Sequence, residues 1–388
     1  MNAAVLRPGT GDGGRQDLPR VLHVAPGAPF GGAQRVAIDL AAAAIAAGGA
    51  AHLLFLGDAV EAAAAARRAG VDAVTRGGSM RSRLRAFRAV VADIRPDVVQ
   101  LHLPPPALVF ALPKSTALVI HLHGLPPSLT EGSARARLGA VLSRHIALRA
   151  DHAIAVSHWV ADAWRAAGLR TRLSVIANPL PLPDEDAARH ATPGNGVPGD
   201  GMPTIGTATR LVRGKGVEAL VPLAAALRDR GVPFRLLVAG EGPLRPGLEA
   251  EIYARGLQSH VHLVGFVADV EAFWRGLDLA VIAAPCEPFG LRLLEPVAHG
   301  VPVAALLGGS GADEVAARCR GVAPIAGGGC PAFAATVAAL LDAPAERRRM
   351  VEEGRSDIAQ HFDPGRIAAA VGATHQRALR RAVRRAAP

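Results

Sequence analysis

The sequence predicts two doubly wound α/β domains facing each other across a cleft. Three observations predict it. Apolar, strand-like runs alternate with helical patterns along both halves of the chain. A polar stretch rich in proline and glycine, residues 181–203, separates the two series. The 388 residues, half of them apolar, exceed what one core ordinarily holds.

The elements follow in order. Residues 1–18 read as a disordered leader that lacks the apolar core of a signal peptide. RVLHVAP (20–26) is the first strand, and the Gly-rich loop GAPFGGAQ (27–34) leaves it. A helix over 35–49 ends on glycine, and a strand over 51–57 completes a βαβ unit with its loop at the helix start. Further strands are expected at 97–102, 117–123, 152–157 and 173–177. The first domain then spans 19–184, with 366–388 folding back on it, and 185–203 is the linker. The second domain spans 204–365, with strands at 204–211, 234–240, 260–266, 279–284 and 301–306.

Charge and composition narrow the partners. The formal net charge of +10 permits nucleotides, acidic lipid surfaces or nucleic acid and does not choose among them; no nucleic-acid partner is expected. Of 43 basic residues two are lysines, Lys114 and Lys215, so part of the charge reflects an Arg-rich composition. Cys286, Cys319 and Cys330 form no zinc spacing and no disulfide framework; Cys286 reads as a small buried hydrophobe. No run reaches the length of a membrane span. A cytoplasmic location is expected, at most peripheral on the inner face of the membrane.

The segment CEPFGLRLLEPVAHGVPV (286–303) carries the most chemistry. A buried strand over 278–284 enters a Pro-Phe-Gly turn, and a helix starts near Gly290. Such a helix start aims free backbone N–H groups at the mouth of the turn, which is an anion site. Glu287 and Glu295 flank it and can accept hydrogen bonds from sugar hydroxyls; Glu295 follows Leu291 by four residues, on the same face. The plain alternative is a strand-to-helix turn with a surface glutamate at each end.

Other strand ends point to the same cleft. Gly31 and Gly32 open a helix where backbone approaches a phosphate closely, or simply make a tight turn. Arg210, Arg213 and Lys215 follow the first strand of the second domain, placed to neutralise a diphosphate or to form a solvated basic loop. Gly242, in GEGP (240–243), brings backbone near a base or ribose, or turns the chain. His123, in HLHG, ends a first-domain strand, where open α/β sheets bind ligands.

Several motifs are set aside. Gly9, Gly11 and Gly14 match a dinucleotide fingerprint but precede the first strand. Asp184 and Asp186 form an Asp-x-Asp inside the linker, with no strand to position it. No histidine pair at zinc spacing and no Ser-His-Asp order is present, and no metal site is expected. A pyridoxal-dependent phosphorylase needs a Schiff-base lysine, which Lys215 is poorly placed to supply. The tail HQRALRRAVRRAAP sets Arg377, Arg380, Arg381, Arg384 and Arg385 on one helical face, and residues 133–150 form a second basic amphipathic helix. Both could lie on an acidic membrane or pack on the core.

Taken in order, GGAQRV (31–36), HLHG (121–124), VSHWVADAW (156–164), ANP (177–179), TRLVRGKG (209–216), VAGEGPLR (238–245), GFVADVEAFWRGLDLAV (265–281) and EPFGLRLLEPVAHGVPV (287–303) resemble the retaining glycosyltransferases of family four, over roughly residues 20–375. The resemblance implies the GT-B fold, with two Rossmann-like domains. It implies transfer of a sugar, a hexose foremost, from a UDP- or GDP-linked donor to a hydroxyl acceptor without a cofactor or metal. The acceptor would be a saccharide or lipid-linked molecule of polysaccharide, lipopolysaccharide or glycolipid synthesis. It places Gly32 backbone near the donor diphosphate and Arg210 and Lys215 on that diphosphate. Glu287 would hold the transferred sugar, Glu295 the ribose, and Phe289, Gly290 and Leu291 would offer N–H groups. His123 would lie beside the sugar from the opposite domain. Two departures stand out: ATRL (208–211), where the family usually has a glycine before the arginine, and the long loop GGSGADE (308–314). The alternatives are a nucleotide-sugar epimerase of similar architecture and an inactive nucleotide-sugar-binding relative.

Overall fold

The computed structural model describes residues 18–28, 30–102, 106–126, 149–183 and 201–386. Two parallel sheets account for the core. The first has seven strands in the order β3 (Ala73–Arg76), β2 (Ala51–Leu56), β1 (Val21–Pro26), β4 (Val98–His102), β5 (Ala117–Leu122), β6 (His152–Ala155) and β7 (Leu173–Val175). The second has six in the order β10 (Val261–Gly265), β9 (Arg235–Ala239), β8 (Thr204–Ala208), β11 (Leu279–Ala284), β12 (Val303–Leu307) and β13 (Val322–Ala326). Their central strands, such as β5 (Ala117–Leu122) and β11 (Leu279–Ala284), are buried throughout, as strands covered by helices on both faces must be. This is the doubly wound pair that the alternation of apolar runs predicts.

Two edge strands escape the sequence reading. β3 (Ala73–Arg76) is half exposed, and β13 carries Pro324. An edge strand needs neither a continuous apolar run nor every ladder N–H, so its signal is weak. The first helix, Gly32–Ala46, also begins three residues before the expected 35, with Gly31 as its N-cap.

In both sheets the strand order reverses at the first strand. The switch points lie between β1 and β4 (Val98–His102) and between β8 and β11. Loops leaving the carboxyl ends of such a pair diverge and leave a crevice. The two crevices face each other and the domains touch across them. Ser157 Oγ donates to the Pro288 carbonyl at 2.7 Å. The Glu314 carboxylate of the second domain accepts from the N–H groups of His158 and Trp159, at 3.0 and 2.8 Å, and so caps the helix His158–Ala166 of the first. Free N–H groups at a helix start favour a carboxylate there.

The last helix, Pro364–Ala386, returns to the first sheet, burying Ile367, Val371, Ala378 and Ala382 in a cluster with Val21, Val36 and Leu40. Three of its five clustered arginines are engaged there. Arg385 pairs with Asp151 and donates to the Lys114 carbonyl, Arg381 reaches the Asp151 carbonyl at 3.5 Å, and Arg377 reaches Ser174 Oγ at 3.5 Å. The apolar side of this tail therefore faces protein. The other basic helix expected over 133–150 lies almost wholly outside the described residues, as do the leader and Asp184 and Asp186. Among the described residues no helix is long and apolar enough to cross a membrane.

Cys286 corrects one expectation. It is an exposed free thiol, because the buried strand stops at Ala284 and the chain emerges at Pro285.

Candidate active site

The turn after β11 is built as an anion cradle and is held from three sides. Gly290 adopts φ +98° and caps the helix Leu291–Ala298 without a side chain. A Cβ there would lie 3.3 Å from both Ala312 Cβ and Leu293 Cδ1, so strain and crowding both select glycine. Glu287 N–H donates to Ser310 Oγ at 3.2 Å, and the Glu287 carbonyl accepts from Ala312 N–H at 3.1 Å. Ser157 holds Pro288 from the other domain. The long GGSGADE loop, a departure from the family pattern, thus serves as the buttress of this turn.

Cations converge on Glu287. Lys215 Nζ lies 3.0 Å from its Oε2 and 3.3 Å from its Oε1. Arg292 Nε lies 3.5 Å from the same Oε2, and Arg292 donates to the carbonyls of Lys215 and Ala283 at 3.2 and 2.7 Å. Arg292 therefore ties the Lys215 loop to the end of β11. Gly216 makes the approach feasible: it has φ +74°, and a Cβ there would strike the Ala283 carbonyl. Two cations beside the start of a helix form a field in which a second anion is strongly favoured.

These groups line a cavity of about 310 Å³ between the domains. Lys215, Glu287, Leu291, Arg292 and Glu295 face Gly31, Gly32, His123 and Asn178 across it. A Cβ on Gly32 would meet Leu291 Cδ1 at an ordinary 3.7 Å, so the two walls stand within side-chain contact of each other here. His123 Nε2 is 2.9 Å from His102 Nδ1, and burial pushes its pKa down to about 3, leaving a neutral ring. Glu295 lies 3.5 Å from Arg35 of the first domain; burial pushes its carboxyl up, and Arg35 opposes that. An adjoining cavity of about 760 Å³ is lined by Arg210, Gly240, Glu241 and Phe266 on one side and by Gly27 and Asp58 on the other. Phe30, Gly31, Gly32 and Val270 border both, so the two form one continuous cleft.

Family comparisons agree with this geometry. The model of the glycosyl transferases group 1 matches residues 195–357, and that of glycosyltransferase family 4 matches 30–182. The chain belongs to the family-four glycosyltransferases. It is 31% identical over 186 residues to the 2-deoxystreptamine glucosyltransferase of Streptomyces kanamyceticus, covering 47% of this chain and 48% of that one. It is 34% identical over 168 residues to the GDP-mannose-dependent alpha-(1-6)-phosphatidylinositol dimannoside mannosyltransferase of Mycobacterium tuberculosis, covering 42% of each. The matched stretches thus span about half the length of these curated relatives or less. Anabaena HepE, solved in complex with UDP-glucose, superposes with a TM-score of 0.74 at 18% identity, over 92% of this chain and 99% of that one. That likeness is one of fold, the GT-B pair of Rossmann-like domains.

Within this family-four fold the residues picked from the sequence are distributed unevenly. Gly31, Gly32, His123, Lys215, Glu287, Phe289, Gly290, Leu291 and Glu295 line the inner cavity. Arg210 lines the outer one. Arg213 is exposed in the same loop. Gly242 is the exception: Gly240 and Glu241 line the outer cavity, while Gly242 packs against Leu211, whose carbonyl a Cβ would strike. Its glycine serves chain packing.

The sequence reading missed three features. Arg292 sits in the first turn of a helix, where a cation opposes the dipole; that mismatch was the available signal. Asn178 is buried with Oδ1 unpartnered at the cavity. Its only mark in the sequence was its place in the ANP segment. The third is a set of histidines. No zinc spacing was found in the sequence, yet His102, His121 and His123 bring one ring nitrogen each to within 4.8 Å of the others. Residues i and i+2 share a strand face, and His102 pairs with His121 in register, so the signal was a strand ending His-x-His beside another ending in His.

Proposed function

We propose that this protein transfers a sugar from a nucleoside diphosphate sugar to a hydroxyl acceptor with retention of configuration. The observation that carries the reading is that Lys215, Arg292 and the Gly290 helix start line one cavity, opposite the bare backbone of Gly32. That cavity suits the departing diphosphate, and Arg210 extends the positive field into the outer one. Glu287, held between Lys215 and Arg292, faces the sugar hydroxyls. Glu295 accepts from the ribose, and His123 offers a neutral ring nitrogen beside the sugar.

In the reaction the bond from the anomeric carbon to the diphosphate oxygen lengthens and the sugar ring gains positive charge. Negative charge grows on the phosphate, where Lys215 and the helix N–H groups stabilise it without having to reorganise. Glu287 already shares its oxygens with two cations, which makes it a poor nucleophile. Attack of the acceptor hydroxyl from the face of the leaving group follows, its proton passing to the departing phosphate oxygen. The cationic residues stand where a metal would otherwise serve, and no metal or other cofactor is invoked.

Two curated relatives are named for 2-deoxystreptamine and for phosphatidylinositol dimannoside. We propose a polyhydroxylated acceptor, saccharide or lipid-linked, entering over the first-domain wall at the cytoplasmic face. The test is transfer of labelled sugar from UDP- and GDP-linked donors to such acceptors, with the product anomer read by NMR. A product of inverted configuration would overturn the mechanism. Isomerisation of the donor without transfer would overturn the activity.

A further inference from the structure

Four buried histidines, the half-buried His123 and the buried Gln100 lie together beneath the first-domain wall of the cleft, at the switch point between β1 and β4. His23 comes from β1, His102 from the end of β4, His121 from β5 and His375 from the last helix. His123 follows β5 and is the member that reaches the inner cavity. His102 Nδ1 is 2.9 Å from His123 Nε2, and its other nitrogen is 3.2 Å from His23 Nδ1. Gln100 Nε2 lies 3.0 Å from His121 Nδ1, and Gln100 Oε1 lies 2.6 Å from His375 Nε2. His121 Nε2 is left buried with no partner. A buried polar nitrogen without a partner is costly, and a bound ion would satisfy it.

The dimensions suit a small ion. A tetrahedral zinc with Zn–N of about 2.05 Å sets its ligand nitrogens about 3.3 Å apart. The nitrogens of His102 and His123 need to open by a few tenths of an ångström, and the rest of the set, all within 4.8 Å, needs to close. The outer nitrogen of His102 is held by His23, the kind of support that orients a metal-binding imidazole; the Gln100 amide must turn over, so that its oxygen accepts from His121 Nδ1, when His121 Nε2 ligates the ion. An imidazole ligates a metal in its neutral form.

We propose that His102, His121 and His123 bind one divalent transition-metal ion of the zinc class, and that the ion competes with the donor sugar for His123. The first half stands on the cluster alone; the second rests on the proposed donor site. The ion is a modulator and not a participant in transfer.

Metal-free full-length protein is titrated with Co²⁺, followed by visible absorption, and with Zn²⁺, followed by calorimetry. The wild type should bind one equivalent of each, with the absorption of a tetrahedral cobalt site. His121→Gln, outside the donor cavity, should lose that absorption, and His23→Gln should bind about 10–100-fold more weakly through loss of orientation. Thermal melts confirm that each variant is folded. No one-to-one site in the wild type, or equal affinity in folded His121→Gln and His23→Gln, would overturn the metal site. Zn²⁺ should weaken binding of the nucleotide sugar in the wild type and leave UDP alone unaffected. An unchanged affinity for nucleotide sugar beside a cobalt spectrum would overturn the competition and leave the site standing. Failure of every nucleotide sugar to bind would refute the donor reading instead.

Discussion

The two walls of the inner cavity handle charge in opposite ways. The second-domain wall carries Lys215, Arg292, Glu287 and Glu295. On the first-domain wall, among the described lining residues, Arg35 alone is charged, and it is turned to Glu295. The remainder is glycine backbone, Phe30, Ala33, the neutral His123 and the amide of Asn178. A field that must stabilise a growing negative charge is most effective when fixed in advance on one side. The other side then sets distance and shape. The division predicts that second-wall substitutions change rate or binding sharply, and that first-wall ones act through fit.

The largest effect is expected at Lys215. Lys215→Ala should lower kcat by a factor of roughly 10²–10³, about 2–4 kcal/mol, with a smaller change in KM. Steady-state kinetics checks this; a rise in KM with kcat unchanged would place Lys215 in uniform binding. Next come the two glutamates, which should fail differently. Glu287→Ala should weaken the nucleotide sugar by about tenfold or more while sparing free UDP or GDP, and Glu295→Ala should weaken both. Calorimetry with each ligand separates them, and equal losses in the Glu287 variant would erase the distinction between sugar and ribose ends.

A smaller effect sharpens the comparison at Asp39, behind the first wall. Burial raises its carboxyl pKa to about 7, Arg35 opposing and Glu295 reinforcing the rise. The folded protein thus holds a proton that the unfolded chain releases near 3.8. Its stabilising share is whole below that value, declines as pH rises, and is gone above about 7. The slope is at most about 1.4 kcal/mol per pH unit. Asp39→Asn should flatten this part of the stability profile between pH 4 and 7, measured by denaturant unfolding. An identical profile in the variant would show that Asp39 keeps its charge in the fold.

Two weak effects complete the series. With Arg377, Arg381 and Arg385 engaged on the first domain, the tail should bind acidic vesicles detectably at low salt and lose them at physiological salt. Co-sedimentation at two salt concentrations tests this, and salt-resistant binding would point to an apolar insertion. Excess EDTA should leave the transfer rate of the metal-free protein unchanged, since fixed cations serve the leaving group. Loss of transfer with recovery on manganese would break the asymmetry between the walls.

Much of this was legible in the residues. The strand, Pro-Phe-Gly turn and helix around Glu287 are local, so their glycine and their apolar periods announce them. The Gly31–Gly32 helix start and the Lys215 loop are local in the same sense. Gly242 stayed ambiguous because a glycine beside a site and a glycine under a packed loop look alike until its neighbour, Leu211, is located. Cys286 misled because burial ends abruptly where a strand leaves its sheet.

The sequence by itself determined the two doubly wound domains, the strand ends that carry the chemistry and the short-range constellations at each. Tertiary structure alone decided which of them meet. Arg35 finds Glu295 across the domain boundary, Arg292 turns back onto the Lys215 loop, and His375 reaches Gln100 from 275 residues away. The reason is physical. Backbone propensity and hydrophobic period act over one turn or one strand, whereas a buried polar contact is selected only after strand order has brought its partners to one switch point.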